Sequence, residues 1–151
     1  MFFGEAPGKE EDVRGEPFVG RAGRILDQTI EKAGANRSEV YVGNIVKCRP
    51  PNNRKPRSDE IDTCTSLYLE SEIGTVKPRV ICALGQTAAN HFLPTNEKMS
   101  DRVGGEIEML FDGLEVRFFV AYHPAACLYQ RKNLASFERS IRRCLRAAGV
   151  I

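Results

Sequence analysis

Apolar residues in this chain fall into short solid runs, and the stretches between them carry helical spacing. Met1-Phe2-Phe3 breaks at once into Gly4-Glu5-Ala6-Pro7-Gly8. That predicts a short buried strand entering a loop whose backbone comes close to another group. Ala22 to Ala33 puts Ile25, Leu26, Thr29, Ile30 and Ala33 on one helical face, and Gly34 stops it. Val40 to Val46 is dense in β-branched residues and reads as a strand buried on both faces. Ser58, with Asp59 and Glu60 behind it, is expected to cap a helix running to about Ile73. Arg79 to Leu84 is the next buried strand, and Gly85 opens a short helix that ends at Pro94. Thr95 to Gly105 is polar and expected to be mobile. Glu106 to Leu110 and Glu115 to Ala121 flank Asp112-Gly113 as a hairpin, and Asn133 to Ala148 is a final helix.

Strands alternating with helices predict an α/β domain, a three-layer α/β/α sandwich around a mostly parallel sheet. Ligands in such sheets sit beyond the carboxyl ends of the strands. The rule selects Glu5 after the first strand, Asn44 to Lys47 at the second, Gly85 to Thr87 after the third and His123 after the last. A carboxylate, an amide, a helix N-terminus and an imidazole thus converge on one edge. Each also has an ordinary explanation: Asn44 as a partner of a loop backbone, His123 as a turn residue before Pro124. Phe18, between Pro17 and Val19-Gly20, is badly placed for a core and well placed to stack on a flat ligand. His91 is given no part.

Composition narrows the class. At 151 residues one domain is the natural count, and 28% charged residues with a net charge of +2 describe an ordinary soluble protein. No apolar run is long enough for a bilayer, and no signal-peptide pattern opens the chain. Five cysteines without close pairs argue against a disulfide framework and for a reducing, cytoplasmic setting. Charge is uneven along the chain: Lys47, Arg49, Arg54, Lys55 and Arg57 crowd an acid-free loop beside the inferred site, and Arg131 and Lys132 follow His123. Phosphate contact suits both clusters. The arginines of the last helix read first as a solvated face.

Four stretches in order, GEAPGKEEDVRGEPFVGRAG, GNIVKCRPPNNRKP, LGQTA and YHPAACL, resemble the family 4 uracil-DNA glycosylases, the iron-sulfur branch of that superfamily. The likeness runs from residue 1 to about 130. It implies hydrolysis of the N-glycosidic bond of deoxyuridine, in single- or double-stranded DNA, by a monomer acting in base excision repair. By that resemblance Phe18 stacks on a flipped-out uracil, Asn44 pairs with its N3–H and O4, and His123 stabilises charge on O2. Backbone near Glu5 and Ala6 assists, and Glu5 positions water and steadies the cationic sugar. Glu11 and Asn53 belong to the pocket wall or the catalytic network. Lys47, Arg49 and Arg54, with Gly85, Gln86 and Thr87 at a helix N-terminus, contact DNA, and Leu128 enters the gap left by the base.

The family also holds a four-iron, four-sulfur cluster on four cysteines. Cys48 and Cys64, sixteen apart, match the downstream pair, and no upstream pair is present. The expectation is a single domain over 1–151 lacking the family's N-terminal segment, with the cluster incomplete or absent. Tyr129 also stands where the wedge segment is expected to be basic. Two other readings stay open: a non-catalytic nucleic-acid or base-binding remnant of the same fold, and a different α/β enzyme acting on a nucleotide. Retention of Glu5, Asn44 and His123 together opposes the first, and the lack of a Gly-rich phosphate cradle opposes the second.

Overall fold

A computed structural model describes all residues, 1–151. Five strands form one sheet: β1 (Phe2–Gly4), β2 (Val42–Asn44), β3 (Val80–Leu84), β4 (Glu106–Phe111) and β5 (Leu114–Ala121), in the order β2-β1-β3-β5-β4. β1, β2, β3 and β5 are parallel, and only β4 runs against its neighbour, returning through the Asp112-Gly113 turn. The expected mostly parallel α/β sheet is therefore present.

The alternation within each strand builds two cores, one on each face. Phe2, Cys82, Leu84, Phe119 and Ala121 point to one side. There they meet Leu26 and Ile30 of α2 (Arg21–Ala33) and Phe137, Ile141 and Leu145 of the last helix, Arg131–Ala148. Phe3, Ile81, Ala83, Phe118 and Val120 point to the other. They are covered by Leu69 and Ile73 of the helix that follows Ser58, and by Ala88, Ala89 and Phe92 of the short helix Gln86–Phe92. Helices on both faces make the three layers.

Several boundaries differ from expectation. β2 keeps only three paired residues of the seven expected, because Ile45 and Val46 turn in to bond the carbonyls of Gly4 and Glu5. The stretch after the first strand, expected as loop, contains a helix, α1 (Lys9–Arg14). Ser58 is the first residue of α3 (Ser58–Cys64) and not its cap, since Glu60 reaches back to accept from the Arg57 N–H at 2.9 Å. α3 continues through a π-helical stretch, Thr65–Leu69, into α4 (Glu70–Val76). The segment expected to be mobile contains the helical turn Met99–Arg102. It is anchored by the buried Arg102, which donates to Asn90 Oδ1 and to the carbonyls of Ala89 and Leu93. A charged anchor inside a polar stretch leaves no periodic signal. The wedge segment is also helical, Pro124–Tyr129.

Candidate active site

The carboxyl ends of β1, β2, β3 and β5 open into one pocket of about 520 Å³, lined by Glu5, Ala6, Phe18, Asn44, Gly85 and His123 among others. Its size lies in the ordinary range of small-molecule sites, with room beyond a single flat ring. Glycine makes the close packing at its floor possible. A Cβ on Gly4 would lie 2.5 Å from Phe18 Cζ and 2.6 Å from Asn44 Oδ1, so only hydrogen there lets ring and amide sit together over the end of β1.

Phe18, expected to be badly placed for a core, is instead buried at the edge of one, and it takes a left-handed backbone, φ 54°, an unfavourable choice for a bulky residue. Three contacts hold it. Glu11 Oε1 accepts from the N–H groups of Val19 and Gly20 at 3.0 and 2.9 Å, while Oε2 accepts from Gly8 at 3.2 Å. Arg37, paired with Asp27 at 2.7 Å, donates to the Pro17 carbonyl at 3.1 Å. Gly23 on α2 presses against the loop, and a Cβ there would stand 1.8 Å from the Phe18 carbonyl oxygen. The Phe18 ring lies 5.7 Å from the His123 ring, between centroids. Glu11 lines the pocket, but its oxygens are taken by backbone N–H groups, so it positions the Phe18 loop.

Asn44 is 5% exposed, and its side-chain amide makes no hydrogen bond within the protein. A buried amide without an internal partner is available to a ligand edge. His123 starts the Pro124–Tyr129 helix, and its Nδ1 accepts from the Ala125 N–H at 3.1 Å. That bond assigns the proton of the neutral ring to Nε2. Burial pushes the imidazole down to about 4, partly opposed by the Glu11 carboxylate, so the ring is neutral at pH 7. The site therefore carries a neutral N–H donor.

The basic loop is more tied down than its composition suggests. Asn53, also on the pocket wall, accepts from Arg49 Nε at 2.7 Å, and Arg54 grips both oxygens of Glu60 at 2.7 and 2.9 Å. Lys47 does not line this pocket, and its ammonium pairs with Glu72 at 2.6 Å. Gly85, Gln86 and Thr87 do line the pocket, at the start of a helix of seven residues. Leu128 and Tyr129 are exposed on the helix after His123, 37% and 84%. Lys55, from the basic loop, also lines the wall, as do Pro50 and Ala125, which nothing in their local sequence marked for it.

Cys48 is exposed and Cys64 half-buried, with the Lys47 N–H donating to Cys64 Sγ at 3.2 Å. No group of three or more His, Cys, Asp or Glu side chains is placed to hold a metal ion. Two thiols fall short of the four that a four-iron cluster takes, so the donor set within residues 1–151 does not fit that group.

Fold and pocket together describe an α/β domain with a single polar-rimmed pocket at the carboxyl ends of its parallel strands. Residues 1–146 match the model of the uracil DNA glycosylase superfamily. The chain is 42% identical to the type-4 uracil-DNA glycosylase of Saccharolobus solfataricus, over 96% of this chain and 70% of that one. It is 39% identical to the type-4 enzyme of Pyrobaculum aerophilum, over 93% and 74%, and 41% identical to that of Thermotoga maritima, over 88% and 68%. The chain belongs to the uracil DNA glycosylase superfamily and, within it, to the type-4 uracil-DNA glycosylases.

Proposed function

We infer that this chain is a DNA-repair hydrolase that cleaves the N-glycosidic bond of deoxyuridine in DNA and releases free uracil. One observation carries the reading of its site: an aromatic ring, an unpartnered amide and a neutral imidazole N–H share a single pocket. The target base must leave the helix stack to reach it. Phe18 stacks on the flipped uracil. The Asn44 amide donates to O4 and accepts from N3–H, a pattern that the amino group and bare N3 of cytosine cannot meet.

In the reaction the bond between C1′ and N1 breaks, and its electron pair leaves with the base as a uracil anion. Water adds its oxygen to C1′ and gives up a proton. His123 donates from Nε2 to O2, where charge grows, and this interaction is stronger in the transition state than in the bound substrate. A neutral donor suits an anionic leaving group because it needs no proton of its own at pH 7. Glu5, on the same wall, orients the water and offsets positive charge on the sugar. Leu128 fills the space that the base leaves, and Arg49, Arg54 and the Gly85–Thr87 turn lie against the DNA backbone. The substrate is uracil-containing DNA of either strandedness, and the protein acts as a monomer. No helix is long and apolar enough to cross a membrane.

Release of free uracil from single-stranded and duplex oligonucleotides tests this directly. Release from uracil-containing strands, with none from otherwise identical cytosine-containing strands, is the expected result. Tight binding to uracil-containing DNA without release would point instead to a base-binding relative that does no chemistry.

A further inference from the structure

We propose that Lys47, Glu72 and Tyr41 form a clamp on the end of β2 that sets the position of the base-reading amide, making Lys47 a positioning residue for Asn44. The proposal rests on the reading of Asn44 given above. β2 is a three-residue edge strand, bonded on one side only, to β1. A strand so short is weakly held by its ladder. The Asn44 side chain has no partner in the protein, so the amide goes wherever its backbone goes.

Glu72, on α4, gathers the residues that bracket this strand. Tyr41, just before β2, donates its hydroxyl to Glu72 Oε1 at 2.7 Å. Lys47, just after it, donates to Oε1 and Oε2 at 2.7 and 2.6 Å. The same ammonium donates to the backbone carbonyl of Asn44 itself at 2.7 Å. The ammonium is thereby shared between one carboxylate and one backbone carbonyl. The pair is sheltered, with side chains 25% and 22% exposed, and the ammonium lies 5.8 Å from the centre of the Phe3 ring. The Lys47 backbone N–H meanwhile bonds Cys64 Sγ on α3. One residue thus ties the reading end of β2 to the helix behind it at two points. A charge spent in this way is poorly available to phosphate, although Lys47 sits in the most basic stretch of the chain.

A clamp acting through Asn44 predicts a specific coupling. Lys47→Met, Glu72→Gln and Tyr41→Phe are each made alone and together with Asn44→Ala. Three quantities are read for each: single-turnover uracil release, DNA affinity against salt, and melting temperature. In the otherwise native chain, Lys47→Met and Glu72→Gln should slow release about 10- to 100-fold, the scale of a small misplacement at a reacting centre. Tyr41→Phe, which keeps the ion pair, should cost less. With Asn44→Ala already present, each should cost under about twofold, because nothing is left to position. DNA affinity and its salt slope should not move. An undiminished loss on the Asn44→Ala background overturns the proposal. So does a salt slope lowered by about one for Lys47→Met, the mark of a phosphate contact. If Asn44→Ala alone releases uracil at the native rate, the reading of Asn44 fails and the clamp falls with it. Should Lys47→Met not fold, Tyr41→Phe tests the same coupling with the ion pair intact.

Discussion

Asn44, His123 and Phe18 each depend on a neighbour that leaves them free for a ligand. Asn44→Asp replaces the N–H face of the amide with an oxygen, which repels uracil O4 and can accept from the cytosine amino group. Uracil release should fall about 10- to 100-fold, the scale of one buried polar mismatch, while release from cytosine strands rises above background. An unchanged rate on uracil would remove Asn44 from base reading. His123 makes a prediction in pH. Its folded value is about 4 and its ordinary value 6.5. Between those values the unfolded chain binds the extra proton, so stability contributed by the neutral ring is complete above about 6.5 and is lost as pH falls towards 4. Protonation at Nδ1 also breaks the bond from Ala125. Chemical denaturation from pH 7.5 to 4 should show that decline, and His123→Gln should flatten the part of it that belongs to this ring. An identical slope in the variant would mean that the decline comes from other groups. Gly23→Ala meets the Phe18 carbonyl at 1.8 Å. Overpacking of this kind costs about 1–3 kcal/mol, and here it displaces the stacking ring as well. The variant should melt lower and release uracil more slowly per folded molecule, as single-turnover assay beside thermal melting will report.

At the scale of elements, the rule that ligands lie beyond strand carboxyl ends found Glu5, Asn44, Gly85 and His123 from sequence, and all four line one pocket. The strands themselves were readable because β-branched and aromatic runs buried on both faces have no other comfortable place. The pieces that brace the site were not readable. Glu11 sits in an acid-rich stretch that looks solvated, yet its carboxylate joins α1 to the Phe18 loop through the N–H groups of Val19 and Gly20 and also caps its own helix at Gly8. Those partners are eight or nine residues away or in a turn, so no periodicity announces them. Glu72 and Tyr41 are likewise ordinary in sequence and meet only across 31 residues of chain. Arg102 hides in a polar run. Arg102→Met should lower stability by about 2–3 kcal/mol, since it strips donors from the buried carbonyls of Ala89 and Leu93. Uracil release per folded molecule should stay near native. Denaturant midpoints checked against activity of the folded fraction will decide whether Arg102 is such an anchor.

At the scale of the whole molecule, two cores on opposite faces of one sheet support the strand ends, and the pocket-lining groups Glu5, Asn44, Gly85 and His123 come from four separate segments of chain. The resemblance that carried the function was legible because it lay in ordered motifs along most of the chain, not in any one of them. The cluster it also implied is a different matter, because Cys48 and Cys64 are only two donors. Residues 1–151, purified without oxygen, should contain well under one cluster per chain by iron analysis and show no brown chromophore. A stoichiometric cluster would contradict this and require ligands beyond Cys48 and Cys64. The central claim, that the strand-end pocket stabilises a departing uracil anion, is tested most directly at His123. Single-turnover uracil release by His123→Ala should fall about 100- to 1,000-fold, the usual cost of one such donor. DNA affinity should change little, because phosphate contacts dominate it. A variant that melts early yet releases uracil at a near-native rate per folded molecule would contradict the account and leave His123 a structural turn residue.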